Sequence, residues 1–211
     1  MIGSNKKLLM AAAGGLSQPD PLIWSLGDRE NYDTVSSISL PSTLLEDDTV
    51  FVATAADAAN PDAPTGYTVI GNAVGYLLSY KVMTSTPDTS IDGLTSASNV
   101  THTAFAFRGL GSFSTSWYNN DNSGLPQPNA TPAAGVSTPS GGVIIFVGFL
   151  DDDMFLMVPP TQFKSGGRSY SSTKGASVAA SYTNIPVGSF GGYTGGFSDS
   201  WHSIVATFNS A

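Results

Sequence analysis

The chain of 211 residues lacks cysteine and has few charged residues, and both absences exclude classes of function. Without cysteine it can form no disulfide bond, no thiolate nucleophile and no zinc site with cysteine ligands. Charged residues make up only 11% of the chain, and the formal net charge is −8. A binder of duplex nucleic acid needs positive charge to displace counterions from phosphates. No apolar run approaches the roughly 20 residues that cross a bilayer. We therefore expect no nucleic-acid partner and no membrane insertion.

Catalytic motifs are also scarce. The only histidines are His102 and His202, and neither has an acidic partner at a recognisable spacing. The serines include no Gly-x-Ser-x-Gly turn, and the glycine-rich strings are not followed by the Lys-Ser or Lys-Thr of a phosphate-binding loop. The sequence therefore predicts a protein that is not an enzyme and that binds no cofactor. A hydrolase that uses His102, His202 or a pair of carboxylates is the alternative.

Two acidic strings have some of the character of calcium sites. Residues 151–153 are three aspartates, and Ca²⁺ prefers several oxygen ligands, but the string lacks the spaced ligands of a calcium loop. Adjacent side chains in a turn also point in different directions. We expect a solvated turn without metal there, with a calcium site as the alternative, and a solvated turn at residues 46–48 as well.

Three strand-like blocks occur twice along the chain, in the same order. The first copies are residues 49–54, 76–82 and 102–108, and the second copies are residues 143–148, 176–182 and 202–208. One histidine opens the last block of each copy, so the two histidines are predicted to occupy equivalent structural positions. Two copies of one β-unit predict a sandwich that is built from two similar halves.

The residue patterns between turns are those of β-strands. Residues 101–107 alternate strictly, with Phe105 and Phe107 on one face. Residues 143–150 are nearly all apolar, which is typical of a strand buried on both faces. We predict an all-β fold, an antiparallel β-sandwich of jelly-roll type made of two similar halves, with an extended N-terminal arm. The arm spans residues 1–30 and the sandwich residues 31–211, with halves at 34–111 and 139–211 and a linker loop at 112–138.

The predicted arm combines apolar side chains with chain breakers. Residues 6–13 could form a short helix that ends at Gly14 and Gly15, but an isolated helix needs roughly 12–15 residues for marginal stability in water. An exposed apolar segment is sensible only when a partner covers it. We predict that the arm docks on a partner, with folding back on its own domain as the alternative. The docking side chains are Leu8, Leu9, Met10, Leu22, Ile23 and Trp24.

The predicted linker loop is the second candidate contact region. Loops longer than about 12–15 residues are usually functional or linking, and its place between the two copies predicts a crossing connection. A contact or ligand-binding loop is the alternative, because aromatic rings beside amide and acid groups are typical of sugar sites and also frequent at protein interfaces. The candidate residues are Trp117, Tyr118, Asn119, Asn120 and Asp121.

Several short motifs follow one another over residues 37–109. They are Ser-Ile-Ser-Leu-Pro, Asp-Asp-Thr-Val-Phe-Val-Ala, Gly-Tyr-Thr-Val-Ile, Tyr-Leu-Leu-Ser-Tyr-Lys-Val and Ala-Phe-Ala-Phe-Arg-Gly. In this order they resemble a β-sandwich domain that recurs in virion and tail-fibre proteins of tailed bacteriophages, and residues 139–209 match it more loosely. Residues 5–14 are similar to the start of small structural proteins of marine phages.

The resemblance implies a virion component without catalytic activity. We expect a structural protein of a tailed-bacteriophage virion, assembled in the cytoplasm of the host bacterium, that docks through its arm onto capsid or tail proteins and presents the sandwich. The resemblance also implies a homo-oligomer, such as a trimer. The alternative is a host-glycan-binding tail-fibre or adhesin module that uses residues 112–124.

Overall fold

The computed structural model of this chain is built from β-strands. The described residues are 22–27, 29–30, 35–56, 60–73, 75–96, 100–121, 143–150, 164–170, 175–181 and 201–210. Their strands are β1 (Leu22–Ser25), β2 (Arg29–Glu30), β3 (Ser37–Ser39), β4 (Thr49–Ala56), β5 (Thr68–Ala73), β6 (Tyr76–Val82), β7 (Ser90–Asp92), β8 (Val100–Phe107), β9 (Leu110–Asp121), β10 (Val143–Leu150), β11 (Lys164–Tyr170), β12 (Gly175–Ser181) and β13 (Trp201–Ser210). Within these ranges there is no helix of the length and apolarity that a membrane span requires.

The strands form two large sheets and a two-stranded ribbon. The central sheet has the order β1-β8-β4-β6-β5, the flanking sheet has the order β2-β11-β12-β10-β13-β9, and the ribbon pairs β3 with β7. Every described pair is antiparallel except that of β2 with β11. One face of the central sheet packs on the flanking sheet and the other on the ribbon. The predicted all-β, antiparallel sandwich is confirmed, with the ribbon as a further layer.

Side-chain alternation along β4 separates two cores. Phe51 and Ala53 belong to the core between the two large sheets, whereas Val50 and Val52 belong to the core under the ribbon. Successive side chains of a strand point to opposite faces, so a strand that feeds two cores must be apolar at almost every position. All eight residues of β4 are buried, which explains why its sequence shows little alternation of polar and apolar residues.

Aromatic rings join the two large sheets. The ring of Phe51 stacks on that of Phe105, with centroids 5.0 Å apart, and meets the ring of Phe208 from the flanking sheet edge-on at 5.3 Å. Phe105 and Phe107 lie in the same core, as their spacing predicts. Residues 143–149 of β10 are all buried, which confirms the prediction from their continuous apolar run.

The two large sheets share an internal strand order. In the central sheet β4 lies between β8 and β6, with β5 beyond β6 and β1 beyond β8. In the flanking sheet β10 lies between β13 and β12, with β11 beyond β12 and β9 beyond β13. The strands that contain the repeated sequence blocks therefore occupy matching places in the two sheets.

Two irregularities of strand register also occupy matching places. Each large sheet has a shift in the hairpin at one side and a shift in the strand pair at the other side, where the flanking sheet has a second one. Bulges of this kind are kept within protein families because they set the local bend and twist of a strand. The matching shifts separate Val69 from Gly71 in β5, Ser165 from Gly167 in β11, Leu22 from Trp24 in β1, and Phe113 from Thr115 in β9. The second shift in β9 lies between Leu110 and Phe113.

The two histidines do not occupy the equivalent positions that the sequence predicts. Phe107 of β8 pairs with the first residue of β4, and Phe208 of β13 pairs with the first residue of β10. Matching Phe107 to Phe208, an offset of 208 − 107 = 101, places His102 opposite Ser203 rather than His202. Because a slip of one residue turns every side chain to the other face of the strand, the two rings lie in different environments.

The described strands give no support to jelly-roll winding. A Greek key, the unit of a jelly roll, joins three consecutive strands by hairpins and returns the fourth beside the first. That rule would give the order β8-β4-β5-β6, whereas the central sheet has β8-β4-β6-β5. The chain therefore passes across β6 on its way from β4 to β5, and β4, β5, β6 and β8 all stay in one sheet.

The predicted linker loop and arm both contain strands. Residues 112–121 lie in β9, since Phe113, Thr115 and Trp117 alternate with serines in a strand pattern that the following asparagines and prolines obscured. Residues 22–25 and 29–30 of the predicted arm form β1 and β2. Residues 122–138 of the predicted linker and the aspartates at 151–153 lie outside the described residues.

Candidate contact surface on the β5–β9 edge

The candidate contact residues of the predicted loop lie on an edge strand. β9 ends the strand order of the flanking sheet, and among the described strands it pairs only with β13. Residues 117–121 form its last part and pair with residues 201–205 of β13. On the same side, the central sheet ends at β5, which contacts β9. We call residues 68–73 of β5 and 110–121 of β9 together the β5–β9 edge.

The two rings of the predicted contact region point to opposite faces of β9. Trp117 is 6% exposed and its indole Nε1 has no hydrogen-bond partner, whereas Tyr118 is 39% exposed. The Tyr118 hydroxyl shares a hydrogen bond with Nδ1 of His202, and the His202 ring lies 4.3 Å from that of Tyr76. Burial raises the pKa of Tyr118, so its hydroxyl is protonated at neutral pH. Of the two rings, Tyr118 is the one that a partner can reach.

A second exposed ring lies near the other end of β9. Phe113 is 38% exposed, and its ring centroid lies 6.2 Å from that of Tyr80 and 5.6 Å from that of Phe208. Part of the Phe113 ring therefore packs against the core, while the rest is exposed to solvent. The contact prediction from the sequence did not include this residue.

The two sheets approach closely between these rings. Ser116 Oγ donates a hydrogen bond of 3.1 Å to the carbonyl oxygen of Ile70. A Cβ atom at Gly71 would lie 3.0 Å from Cγ2 of Ile204, which is closer than such atoms normally pack. Glycine at this position of β5 therefore lets the edge of the central sheet come down onto β13, and the edge is a closed seam rather than a groove.

The β5–β9 edge has exposed apolar side chains and almost no charge. It contains three of the five large hydrophobic residues that are exposed in the described chain, namely Val69, Phe113 and Tyr118. Residues 68–73 and 110–120 include no Lys, Arg, Asp or Glu. Soluble proteins usually guard an exposed edge strand with charged residues or proline. The scarcity of such guards makes this edge the strongest candidate contact surface in the described chain.

Leu22, Ile23 and Trp24 of the predicted arm belong to the sandwich itself. They form β1, which pairs with β8, and they pack partly buried against the two cores. β2 then pairs with β11, so residues 22–30 connect the two large sheets on the side opposite the β5–β9 edge. The positions of these three side chains agree with the alternative expectation, in which the arm folds back on its own domain. Leu8, Leu9 and Met10 lie outside the described residues.

His102 is held inside the central sheet. Its Nδ1 lies 2.9 Å from Oγ1 of Thr54, and its Nε2 lies 3.0 Å from the carbonyl oxygen of Thr95. A carbonyl only accepts, so Nε2 carries the proton and donates it, and the Thr54 hydroxyl donates to Nδ1. Burial lowers the pKa of His102 to about 4 against a smaller opposing effect of the Thr95 carbonyl. The ring is therefore neutral at pH 7, and with 1% exposure it is closed to a substrate.

Asp48 is buried, which corrects the solvated turn predicted for residues 46–48 at this one position, while Glu46 and Asp47 are exposed as predicted. Its Oδ1 accepts a hydrogen bond of 2.9 Å from Nε of Arg108, and its Oδ2 accepts one of 2.8 Å from Nη2 of Arg108 and one of 2.7 Å from the Leu45 N–H. Burial by itself raises the pKa of Asp48, but these hydrogen bonds and the charge of Arg108 lower it overall. The pair fixes the turn before β4 to the residue that follows β8.

A polar cleft lies beside the C-terminal half of β6. It encloses about 500 Å³, and the Lys81 Nζ and Asp88 Oδ2 atoms within it are 2.5 Å apart. Asp92 accepts hydrogen bonds from Ser37 and Ser90, which lower its pKa. These charged groups are engaged with the chain's own side chains. The lining residues are Thr65, Lys81, Thr86, Pro87, Asp88, Thr89, Ser90 and Asp92.

No protein-family model, curated protein or solved structure matches this chain. The candidate surface therefore depends on the geometry of the chain alone. The sequence located part of it, because Trp117–Asp121 all lie on β9, but placed it on a loop. Phe113 and Val69 could have been found from the apolar alternation around them, whereas the burial of Trp117 depends on which face of β9 is covered.

Proposed function

We propose that this chain is a structural protein of a tailed-bacteriophage virion, without catalytic activity, that joins capsid or tail proteins through its N-terminal residues and its β5–β9 edge. The resemblance of residues 37–109 to phage sandwich domains supports the choice of assembly. The β5–β9 edge supports a role in protein contact, because aromatic rings are exposed there and almost none of its side chains is charged. We expect the protein in the virion, after assembly in the bacterial cytoplasm.

The observation that carries the proposal is the edge strand β9, which has no charged residue before Asp121 at its end. An edge strand has a row of backbone N–H and C=O groups that can pair with another chain, and such pairing gives affinity through main-chain hydrogen bonds. Tyr118 and Phe113 add apolar area at separate points of the strand. In a protein with a net charge of −8, an uncharged stretch of this length is where a neighbouring acidic protein is repelled least.

We also propose that the sandwich consists of two similar halves. The shared strand order, the two matching register shifts and the three repeated sequence blocks support this reading. In this reading the halves begin at β1 and β9, so the border between them falls at residues 108–109 rather than within the predicted linker. A duplicated unit suits a structural protein, since both halves contribute to one core.

The fold limits which part of the predicted arm can serve as an anchor. Leu22, Ile23 and Trp24 are used within the sandwich, so the proposed anchor consists of the residues before β1, with Leu8, Leu9 and Met10 as its apolar side chains. This part of the proposal depends on the sequence. It predicts that the anchor can be removed without unfolding the sandwich.

The test is incorporation into particles. Variants that lack residues 1–21, or that combine Leu8→Ser, Leu9→Ser and Met10→Ser, would be supplied during infection to a phage with its own copy deleted. Purified particles would then be analysed by quantitative mass spectrometry. The proposal predicts loss of the variant chain from particles with an unchanged melting temperature of the isolated protein. Normal incorporation of both variants would contradict the anchor, and absence of the wild-type chain from particles would contradict the virion proposal itself.

The second candidate is a host-glycan-binding module, and one observation favours it. The exposed Tyr118 ring is followed on the same strand by Asn119 and Asn120, which is a group of residue types suited to a sugar. Trp117 has the larger of the two aromatic rings in the predicted contact region, but it is buried and therefore not accessible to a sugar. Binding of the purified protein to host cells or a glycan array, abolished by Tyr118→Ala, would support this candidate over a purely structural role.

A further inference from the structure

We propose that the β5–β9 edge pairs with the same edge of a second copy of this chain, β9 lying antiparallel to β9. The inference deepens the proposed function, because it names the partner of that surface. It rests on the proposed function only in assigning the edge a contact role. A self-associated protein would remain self-associated even if it were found outside a virion.

The first argument is that β9 is long and that no other described strand pairs with its outer side. It spans 12 residues, Leu110–Asp121, and at about 3.4 Å per residue this is roughly 40 Å of strand. Ser112, Phe113, Ser114 and Tyr118 are all exposed. Two register shifts, one on each side of Phe113, distort the first part of the strand, but residues 115–121 pair with β13 without interruption. A regular edge of this kind is a template for another strand.

The second argument is that the strand is complementary to itself. Tyr118 and Phe113 are exposed toward opposite ends of β9, with only small or short side chains exposed between them. Antiparallel pairing of two copies brings the Phe113 end of one strand beside the Tyr118 end of the other. Aromatic side chains that meet across strands are among the stabilising pairs of a sheet. A two-fold interface of this kind uses the same patch on both subunits.

The third argument is the placement of charge. Asp121 is the only charged residue of β9 and lies at its end. Antiparallel pairing places the two Asp121 residues at opposite ends of the interface, whereas parallel pairing would set them side by side. Because each copy has a net charge of −8, a stable contact between copies needs an uncharged surface on both sides. Residues 110–120 of β9 and residues 68–73 of β5 meet that requirement, because none of them is charged.

The experiment measures self-association of the full-length protein. Sedimentation velocity over a range of concentrations should show a dimer that dissociates on dilution. In the variant Thr115→Lys, which lies near the middle of β9, the lysines of the two copies would lie close to each other across the new strand pair, and the dissociation constant should rise by about 100-fold or more. The matched control is Ser36→Lys, which adds the same charge at an exposed position near the ribbon and should leave the dimer intact.

A second measurement covers the case in which the lysine variants fold poorly. Hydrogen exchange of the wild-type protein should show amides of residues 112–120 that become more protected as concentration increases, while those of β3 do not change. A wild-type protein that is monomeric at every concentration, with no such protection, would overturn the inference. Protection of these amides only in assembled particles would assign the edge to a different virion protein, and would leave the proposed function standing.

Discussion

His102 and His202 begin the last strand-like block of the two sequence copies, yet they lie in contrasting surroundings. His102 is enclosed in the central sheet, with both ring nitrogens hydrogen-bonded to Thr54 and Thr95. His202 lies at the β5–β9 edge, between the ring of Tyr76 and the exposed ring of Tyr118. One histidine is buried in a sheet, and the other packs against an exposed ring of the candidate contact surface.

The difference arises from the strand register. The pairing of β8 with β4 and of β13 with β10 places His102 and Ser203 at matching positions. The sequence match of His102 with His202 is therefore shifted by one residue from the structural match. Neighbouring residues of a strand point to opposite faces of the sheet. Similar sequence blocks can thus give similar strands whose individual side chains serve different purposes.

The largest expected effects come from matched core positions in the two large sheets. Phe51 of β4 and Ile145 of β10 are both fully buried in the core between the large sheets. Phe51→Ala should lower the free energy of unfolding by about 3–5 kcal/mol and Ile145→Ala by about 2–5 kcal/mol. Because both residues contribute to one core, urea unfolding followed by tryptophan fluorescence and by circular dichroism should give one coincident transition in each variant.

The control for this pair is Val69→Ala at the exposed edge, where the change should stay within about 0.5 kcal/mol. Two separate transitions, one sensitive to Phe51 and the other to Ile145, would show that the two large sheets fold as independent units. That result would contradict the single shared core.

The next largest effect distinguishes the two histidines through the pH dependence of stability. The pKa of His102 is lowered by burial from 6.5 to about 4, so between these values the unfolded chain binds a proton that the folded chain does not. Stability should therefore fall as the pH is lowered through this window, by about 3 kcal/mol in total from this residue. His102→Gln should flatten the dependence, because it removes the titrating group.

The comparison that checks this prediction is the difference in unfolding free energy between wild type and variant at pH 7 and at pH 4. Carboxylates titrate alike in both proteins, so the difference isolates His102. His202→Gln is the matched variant for the other histidine. If the two substitutions changed the pH dependence of the unfolding free energy equally, the contrast between the buried ring of His102 and the ring of His202 would be contradicted.

Sequence reasoning succeeded where a pattern depends on neighbours along the chain. The alternation around Phe105 and Phe107 predicted their shared face, and the apolar run of β10 predicted burial on both sides. The repeated blocks led to strands that lie in matching places. The register between strands was not predictable in the same way, because the shift that separates His102 from His202 is set by pairing with β4 and β10, which lie far away in sequence.

The candidate surface was predicted in part for the same reason. The residues from Trp117 to Asp121 attracted attention by their composition, but which ring faces a partner depends on the face of β9 that is covered. Asp48 is a similar case, since a turn of three acids looks solvated until Arg108, 60 residues away, is seen to bind one of them. Contacts across such distances leave no local signal in a single sequence.

A smaller effect is expected at the ion pair of Arg108 and Asp48 beside the central sheet. Arg108 binds Asp48 through two hydrogen bonds, and the register that aligns Phe107 with Phe208 places Asn209 opposite Arg108. Asp48→Asn should cost about 2 kcal/mol, since it weakens charge-assisted hydrogen bonds to a buried group. The pKa of Asp48 is lowered on folding, so its contribution should be present above the unfolded pKa of about 3.8 and lost as the pH falls below it.

Thermal unfolding at pH 6 and at pH 2.5 would measure both statements. Asp88→Asn is the control, because the Lys81–Asp88 pair is partly exposed and an exposed pair contributes only about 0–1 kcal/mol. Equal losses from Asp48→Asn and Asp88→Asn would mean that burial adds nothing to the Asp48 pair.

The smallest expected effects return to the two histidines, through the hydroxyl that each one contacts. Thr54→Val leaves the buried Nδ1 of His102 without a partner and should cost about 1–2 kcal/mol, whereas Tyr118→Phe removes a hydrogen bond at an exposed site, where water can replace it, and should cost less than about 1 kcal/mol. Urea unfolding at pH 7 measures both. If Tyr118→Phe were the more costly change, the hydrogen bond at the edge would be part of the folded framework, and Tyr118 would be held by its own subunit rather than available to a second copy.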